Sequence, residues 1–192
     1  MSEDIVEVIE KGNRRAEIFY DGEAESPRRM YDNLGVMMCI HRRYRLGDEQ
    51  LSEGDFESWD DVRVSLVKVF GAKVFLPLYL YEHSGITMNT IGFPCGWDSG
   101  QVGFIYAKPE ESKNYSYEKI VEILKSEVEE YSNYLKGEVY AYRILNKKEC
   151  PHCHALLDEY DEDDIDEELC GYGYLGLESV REAVNEELEH GN

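Results

Sequence analysis

Between Asp4 and Glu10 apolar and acidic residues alternate (DIVEVIE), and alternation returns from Arg14 to Tyr20 (RRAEIFY) after the turn signal Gly12-Asn13. Period-two alternation on both sides of a Gly-containing turn predicts a β-hairpin with one covered face. The pattern then lapses: Asp21–Arg29 is polar and reads as loop, Val36–His41 as strand, and Leu46–Gly54 as loop again. Ser58 with Asp61 three residues later has the form of a capping box. Val62, Leu66, Val69 and Phe70 give the helix that follows one apolar stripe, and Gly71 ends it.

Val74–Tyr81 is an apolar and aromatic run interrupted only by Pro77. A run this short, rich in Val, Leu and Tyr, predicts a strand covered on both faces. Proline cannot donate to a ladder, so an edge or a bulge is expected at Pro77. After the break at Glu82–Gly85, Ile86–Ile91 resumes as an antiparallel partner. Gly92–Gln101 is a Gly-rich loop and Val102–Ala107 a strand. Ser116 caps a helix that runs to Lys136, with Ile120, Leu124, Val128, Tyr131 and Leu135 on one face. Gly137 stops it, Glu138–Leu145 reads as strand, and Gly176–His190 as an amphipathic helix with Val180, Val184 and Leu188 inward. About six strands and two or three helices without sustained βαβ alternation predict an α+β fold with a mainly antiparallel sheet. The core domain is expected over residues 1–145, with an acidic, Cys/His-containing appendage over 146–192.

Charge changes this picture most. Forty-one Asp/Glu face twenty Lys/Arg, a net of −21, and from Leu145 onward there are fifteen against three. A field of that sign repels nucleic acid and anionic lipid and attracts basic surfaces. Direct nucleic-acid binding is therefore not expected, and the predicted partner is a basic, nucleic-acid-binding host protein. The run Asp158, Glu159, Asp161, Glu162, Asp163, Asp164, Asp166, Glu167 and Glu168 reads either as a solvated acidic loop or as an imitation of a phosphate ladder, the duplex carrying about one charge per 1.7 Å of axis. No apolar run has the length of a membrane span, and the N-terminus lacks a basic, then apolar leader, so a cytoplasmic protein is expected. Five cysteines without such a leader point to thiols or a metal rather than disulfides.

Candidate chemistry gathers in three stretches. The loop around Cys95 carries side chains a plain connector has no need of. A nucleophilic reading makes Cys95 the attacking thiolate, His83 its base, Asp98 the group that orients the base, and the backbone N–H groups of Gly96–Gly100 an anion hole, with Ser84, Trp97, Ser99 and Gln101 lining the pocket. The alternative is structural: Asp98 and Ser99 as turn formers, Trp97 as a core anchor, Cys95 as a small hydrophobe. His41-Arg42-Arg43-Tyr44-Arg45 is the one basic knot, either an anion grip or an internal salt-bridge hub, the second being favoured in so acidic a chain. Cys150-Pro151-His152-Cys153-His154 is C-x-x-C with a following His, half of a zinc site. A structural zinc would take Cys150, Cys153 and Cys170 with His154 or His190 as the fourth ligand, and the alternatives are a thiol pair or a solvent-exposed turn.

The string from His83-Ser84-Gly85-Ile86-Thr87 through Phe93, Cys95 and Trp97-Asp98-Ser99-Gly100-Gln101-Val102-Gly103 to Ile105-Tyr106, preceded by Leu76-Pro77-Leu78-Tyr79-Leu80-Tyr81, resembles an uncharacterised family of accessory proteins of phages, prophages and plasmids. The resemblance extends to Tyr31-Asp32-Asn33-Leu34-Gly35, His41-Arg42-Arg43-Tyr44, Leu46-Gly47-Asp48, Ser126-Glu127-Val128, Tyr134-Leu135 and Gly137-Glu138-Val139-Tyr140. Cys170-Gly171-Tyr172-Gly173-Tyr174 is a looser version of a C-W-G-F-Y-G ending, with Tyr172 where Phe is expected. The resemblance implies an origin on a mobile element and brings no established activity. The resulting expectation is an acidic mobile-element protein that binds a host protein, as a nucleic-acid mimic does when it blocks restriction or CRISPR defence. The alternatives are an enzyme or ligand-binding site around His83, Cys95 and Asp98, and a zinc-stapled interaction module.

Overall fold

The computed structural model describes residues 4–52, 54, 56–160 and 170–190. In chain order the elements are β1 (Ile5–Lys11), β2 (Arg14–Tyr20), α1 (Pro27–Met30), β3 (Gly35–Cys39), β4 (Glu49–Gln50), α2 (Trp59–Lys68), β5 (Phe75–Glu82), β6 (Ile86–Asn89), β7 (Ser99–Ala107), α3 (Tyr117–Lys136), β8 (Val139–Glu149), β9 (Leu156–Tyr160), β10 (Cys170–Leu175) and α4 (Leu177–His190). The class is the expected one, α+β with mostly antiparallel pairing, but the strands form two sheets. They belong to two compact units, Ser26–Lys136, and Met1–Glu25 together with Gly137–Asn192.

In the unit of Ser26–Lys136 the strand order is β4-β3-β7-β5-β6, antiparallel except for the short β3–β4 pair. Alternation along β3 sends Met37 and Cys39 to a core shared with Leu124, Val128 and Tyr131 of α3, and Val36 and Met38 to a second core with Val62 and Leu66 of α2. A helix on each face is why the Val74–Tyr81 run contains so few polar residues. Pro77 sits where β6 does not reach, since β6 pairs only with Tyr79–Glu82, and the ladder to β7 shifts register between Leu78 and Tyr79. Both the edge and the bulge expected of a strand proline are therefore present. The α2 start is the predicted capping box: the Asp61 carboxylate accepts the Ser58 N–H at 2.8 Å and the Ser58 hydroxyl accepts the Asp61 N–H. Gly103 is the tightest point of the sheet, because a Cβ there would lie 2.0 Å from the Met38 carbonyl oxygen.

The other unit joins the predicted N-terminal hairpin to the C-terminal quarter of the chain. Its strand order is β1-β2-β8-β10, and β9 pairs with the end of β8. Leu145, the predicted domain boundary, lies inside β8 and opposite Arg15 of β2. One sheet face, with Ala16, Ile18, Tyr140, Tyr142 and Ile144, packs on Val180, Val184 and Leu188 of α4, the stripe expected from the sequence. The opposite face holds a buried carboxylate, Glu17, which takes Arg143 at 2.8 Å and Arg15 at 2.8 Å. Arg181 ties α4 to Glu7 of β1 at 2.8 Å, and the Arg14 guanidinium donates to the Glu187 carbonyl at 2.9 Å in the last turn of α4. No helix among the described residues is long and apolar enough to cross a membrane.

Candidate functional site

Chemistry gathers at several places, only some of them anticipated by the sequence. In the unit of Ser26–Lys136, the β5–β6 turn and the loop before β7 meet because Glu82 donates its N–H to the Asp98 carbonyl at 2.8 Å. That pairing sets His83 beside Asp98, with Nδ1 3.5 Å from the carboxylate and both side chains well exposed. Ser84 adopts a left-handed conformation, φ 57°, to make the turn. The Cys95 thiol does not join them. No hydrogen bond links it to His83 among the described residues, and the loop is closed instead by the Ser99 hydroxyl donating to the Cys95 carbonyl. Of the proposed triad, then, the structure assembles the His–Asp half.

Trp97 is 98 % exposed, so it is no core anchor. It overhangs an open groove of 540 Å³ shared with Arg42, Arg43, Ser99 and Gln101, while His83 and Ser84 line an adjoining hollow of 450 Å³. Arg43 and Glu82 belong to both.

Glu82 gives the basic knot its structural meaning. Its carboxylate pairs with Arg43, accepts the Tyr44 hydroxyl at 3.0 Å and faces His41 Nε2 at 3.8 Å. His41 stacks on Tyr44, centroids 5.1 Å apart, and its Nδ1 accepts the N–H groups of Arg43 and Tyr44, both at 3.3 Å. Burial first, then the Arg43 and Arg42 charges, lowers the His41 pKa below its ordinary value. The salt-bridge reading thus fits Arg43, while Tyr44 joins the same Glu82 carboxylate by a hydrogen bond and His41 stacks on Tyr44 beside it. Arg42 and Arg45 are exposed and make no ion pair among the described residues.

A larger hollow of 680 Å³ borders Arg28, which no motif or local periodicity singles out. Its guanidinium is buried, with side-chain exposure of 4 %, and grips Asp48 at 2.6 Å, Glu127 at 2.8 Å, Asn33 Oδ1 at 2.8 Å and the Gly35 carbonyl at 2.6 Å. Glu127 also accepts the Leu34 and Gly35 N–H groups, and Asp48 the Met37 N–H. Every charge is partnered, so this is a fastening of α1, β3 and α3 rather than a vacant binding group. Asn33 and Gly35, Asp48, and Glu127 come from three separate stretches of the chain and meet in this one network, a convergence no local pattern reveals.

In the other unit, Cys150 and Cys153 lie in the turn between β8 and β9, half-exposed and exposed, and both are free thiols. His154 Nδ1 is 3.6 Å from Glu149. Cys170 is elsewhere: it pairs with Arg143, seven residues before Cys150 on the same strand, which at about 3.3 Å per residue is over 20 Å away. No group of three or more His, Cys, Asp or Glu side chains among the described residues is arranged to hold a metal. The expected set of Cys150, Cys153, His154 and Cys170 is therefore not brought together. Of the acidic run, Asp158 and Glu159 fall in β9, and Glu159 is exposed; Asp161, Glu162, Asp163, Asp164, Asp166, Glu167 and Glu168 lie outside the described residues.

Carboxylates also gather on α4, outside the acidic run. Glu178, Glu182 and Glu186 project from α4 at four-residue intervals, about 6 Å apart along the axis. Glu178 is held by Arg181, whereas Glu182 and Glu186 are exposed and have no counter-ion among the described residues. The period of the helix is the signal that could have found them. Compared with family models, with curated proteins and with solved structures, the chain matches none.

Proposed function

We propose that this chain is a binding protein whose acidic unit, Met1–Glu25 with Gly137–Asn192, docks on the basic nucleic-acid-binding surface of another protein and competes there with nucleic acid. The observation that carries this reading is the partition of charge. That unit holds 24 Asp/Glu against 7 Lys/Arg, a net of −17, while Ser26–Lys136 holds 17 against 13, a net of −4. Four-fifths of the excess thus falls within the bounds of one unit, where α4 carries a regular row of carboxylates. Such a surface needs only charge and spacing to occupy a groove built for phosphates, and long-range attraction speeds its encounter with a basic partner. The phage-family resemblance directs the choice of partner to host enzymes that act on invading DNA or RNA.

The test is retention of purified, nucleic-acid-free restriction and CRISPR effectors on the immobilised chain. The expected result is capture of at least one effector, release by competing duplex, and a loss of affinity of about ten-fold or more between 0.05 and 0.2 M salt, as screening shortens the reach of the charges. Retention of none of the panel at low salt contradicts the proposal.

A further inference from the structure

We propose that the Cys150–Cys153 turn is one half of a thiophilic-metal site, zinc being the biological ion of that class, completed by the same turn of a second copy of this chain. The β8–β9 connection is closed by two hydrogen bonds, Cys150 N–H to the Ala155 carbonyl and His154 N–H to the Cys150 carbonyl, each 2.9 Å. His154 takes a left-handed conformation, φ 57°, which turns the chain back directly after Cys153. Within this frame Cys150 and Cys153 stand three residues apart on one turn, the first half-exposed and the second exposed, both as free thiols. Two free thiols on one tight turn are suited to an edge of a metal tetrahedron, whose Zn–S bonds of about 2.3 Å set the sulfurs about 3.8 Å apart.

The remaining two ligands decide the form of the site. Zinc in a closed site takes four. Cys170 is held far along β8, and no third Cys, His, Asp or Glu among the described residues is arranged with Cys150 and Cys153. The turn itself is open to solvent from Pro151 to Ala155. An identical turn offers two more thiolates through a two-fold axis, giving a four-thiolate site in which both copies make the same contacts. Repulsion between two acidic chains is screened beyond about 8 Å at physiological salt.

The experiment titrates the reduced full-length chain with Co²⁺ and then Zn²⁺ in 0.15 M salt, reading metal per chain, the cobalt spectrum and the sedimenting mass. The proposal expects saturation at one ion per two chains, the ligand-field spectrum of tetrahedral four-thiolate cobalt, and a mass that doubles with metal and halves with chelator. Cys153→Ser, confirmed as folded by its far-UV circular dichroism, should lose all three. One ion per chain in a monomer, or uptake no greater than that of Cys153→Ser, overturns it.

Discussion

Arg28 is enclosed by Asp48, Glu127, Asn33 and the Gly35 carbonyl, and its removal leaves two carboxylates without their shared cation. Arg28→Met keeps much of the volume and deletes the charge, and should cost about 3–5 kcal/mol in chemical denaturation, the range for breaking a buried ion pair from one side. His41 supplies a pH-dependent counterpart. Its folded pKa is lowered, so the unfolded chain binds the proton more readily and the associated stability rises with pH. That contribution is complete above the unfolded value of about 6.5 and is lost as pH falls through the lower, folded value. Imidazole NMR should show His41 titrating below 6.5, and the wild-type minus His41→Gln stability difference should shrink between pH 7 and pH 5. A His41 midpoint above 6.5 would count against burial beside Arg43 as the cause.

At the scale of elements, Gly103 shows how closely β3 and β7 approach. Gly103→Ala puts a methyl group against the Met38 carbonyl, with no flexible side chain to yield, and should destabilise by at least about 1–3 kcal/mol in thermal or urea unfolding. Local periodicity made most elements legible. The β1–β2 alternation, the capping box of α2, the apolar run of β5 and the stripes of α3 and α4 each follow from residues close in sequence. What stayed hidden depends on distant partners. β2 takes β8 as its neighbour across more than a hundred residues, which no window of sequence encodes. Four-residue α1 gives too few turns for a period, and its helix start is visible only through the Ser26 cap and Pro27. The site divides in the same way. His83 and Asp98 meet because Glu82 and Asp98 share a backbone hydrogen bond between strand ends, whereas nothing comparable draws in the Cys95 thiol.

For the whole molecule, the charge divides between the two units. The acidic C-terminal quarter shares its unit with residues 1–25, which hold eight Asp/Glu against three Lys/Arg, and the unit between them stays near balance. The most direct measurement compares two variants with equal net charge against a retained effector. One carries Glu10→Gln, Glu159→Gln, Glu182→Gln and Glu186→Gln in the acidic unit; the other carries Glu57→Gln, Glu110→Gln, Glu118→Gln and Glu129→Gln in Ser26–Lys136. All eight positions are exposed, so both folds should survive. The dissociation constant should rise at least about ten-fold, some 1.4 kcal/mol, for the first variant and little for the second. Equal losses in both, or none in the first, would contradict recognition through the acidic unit.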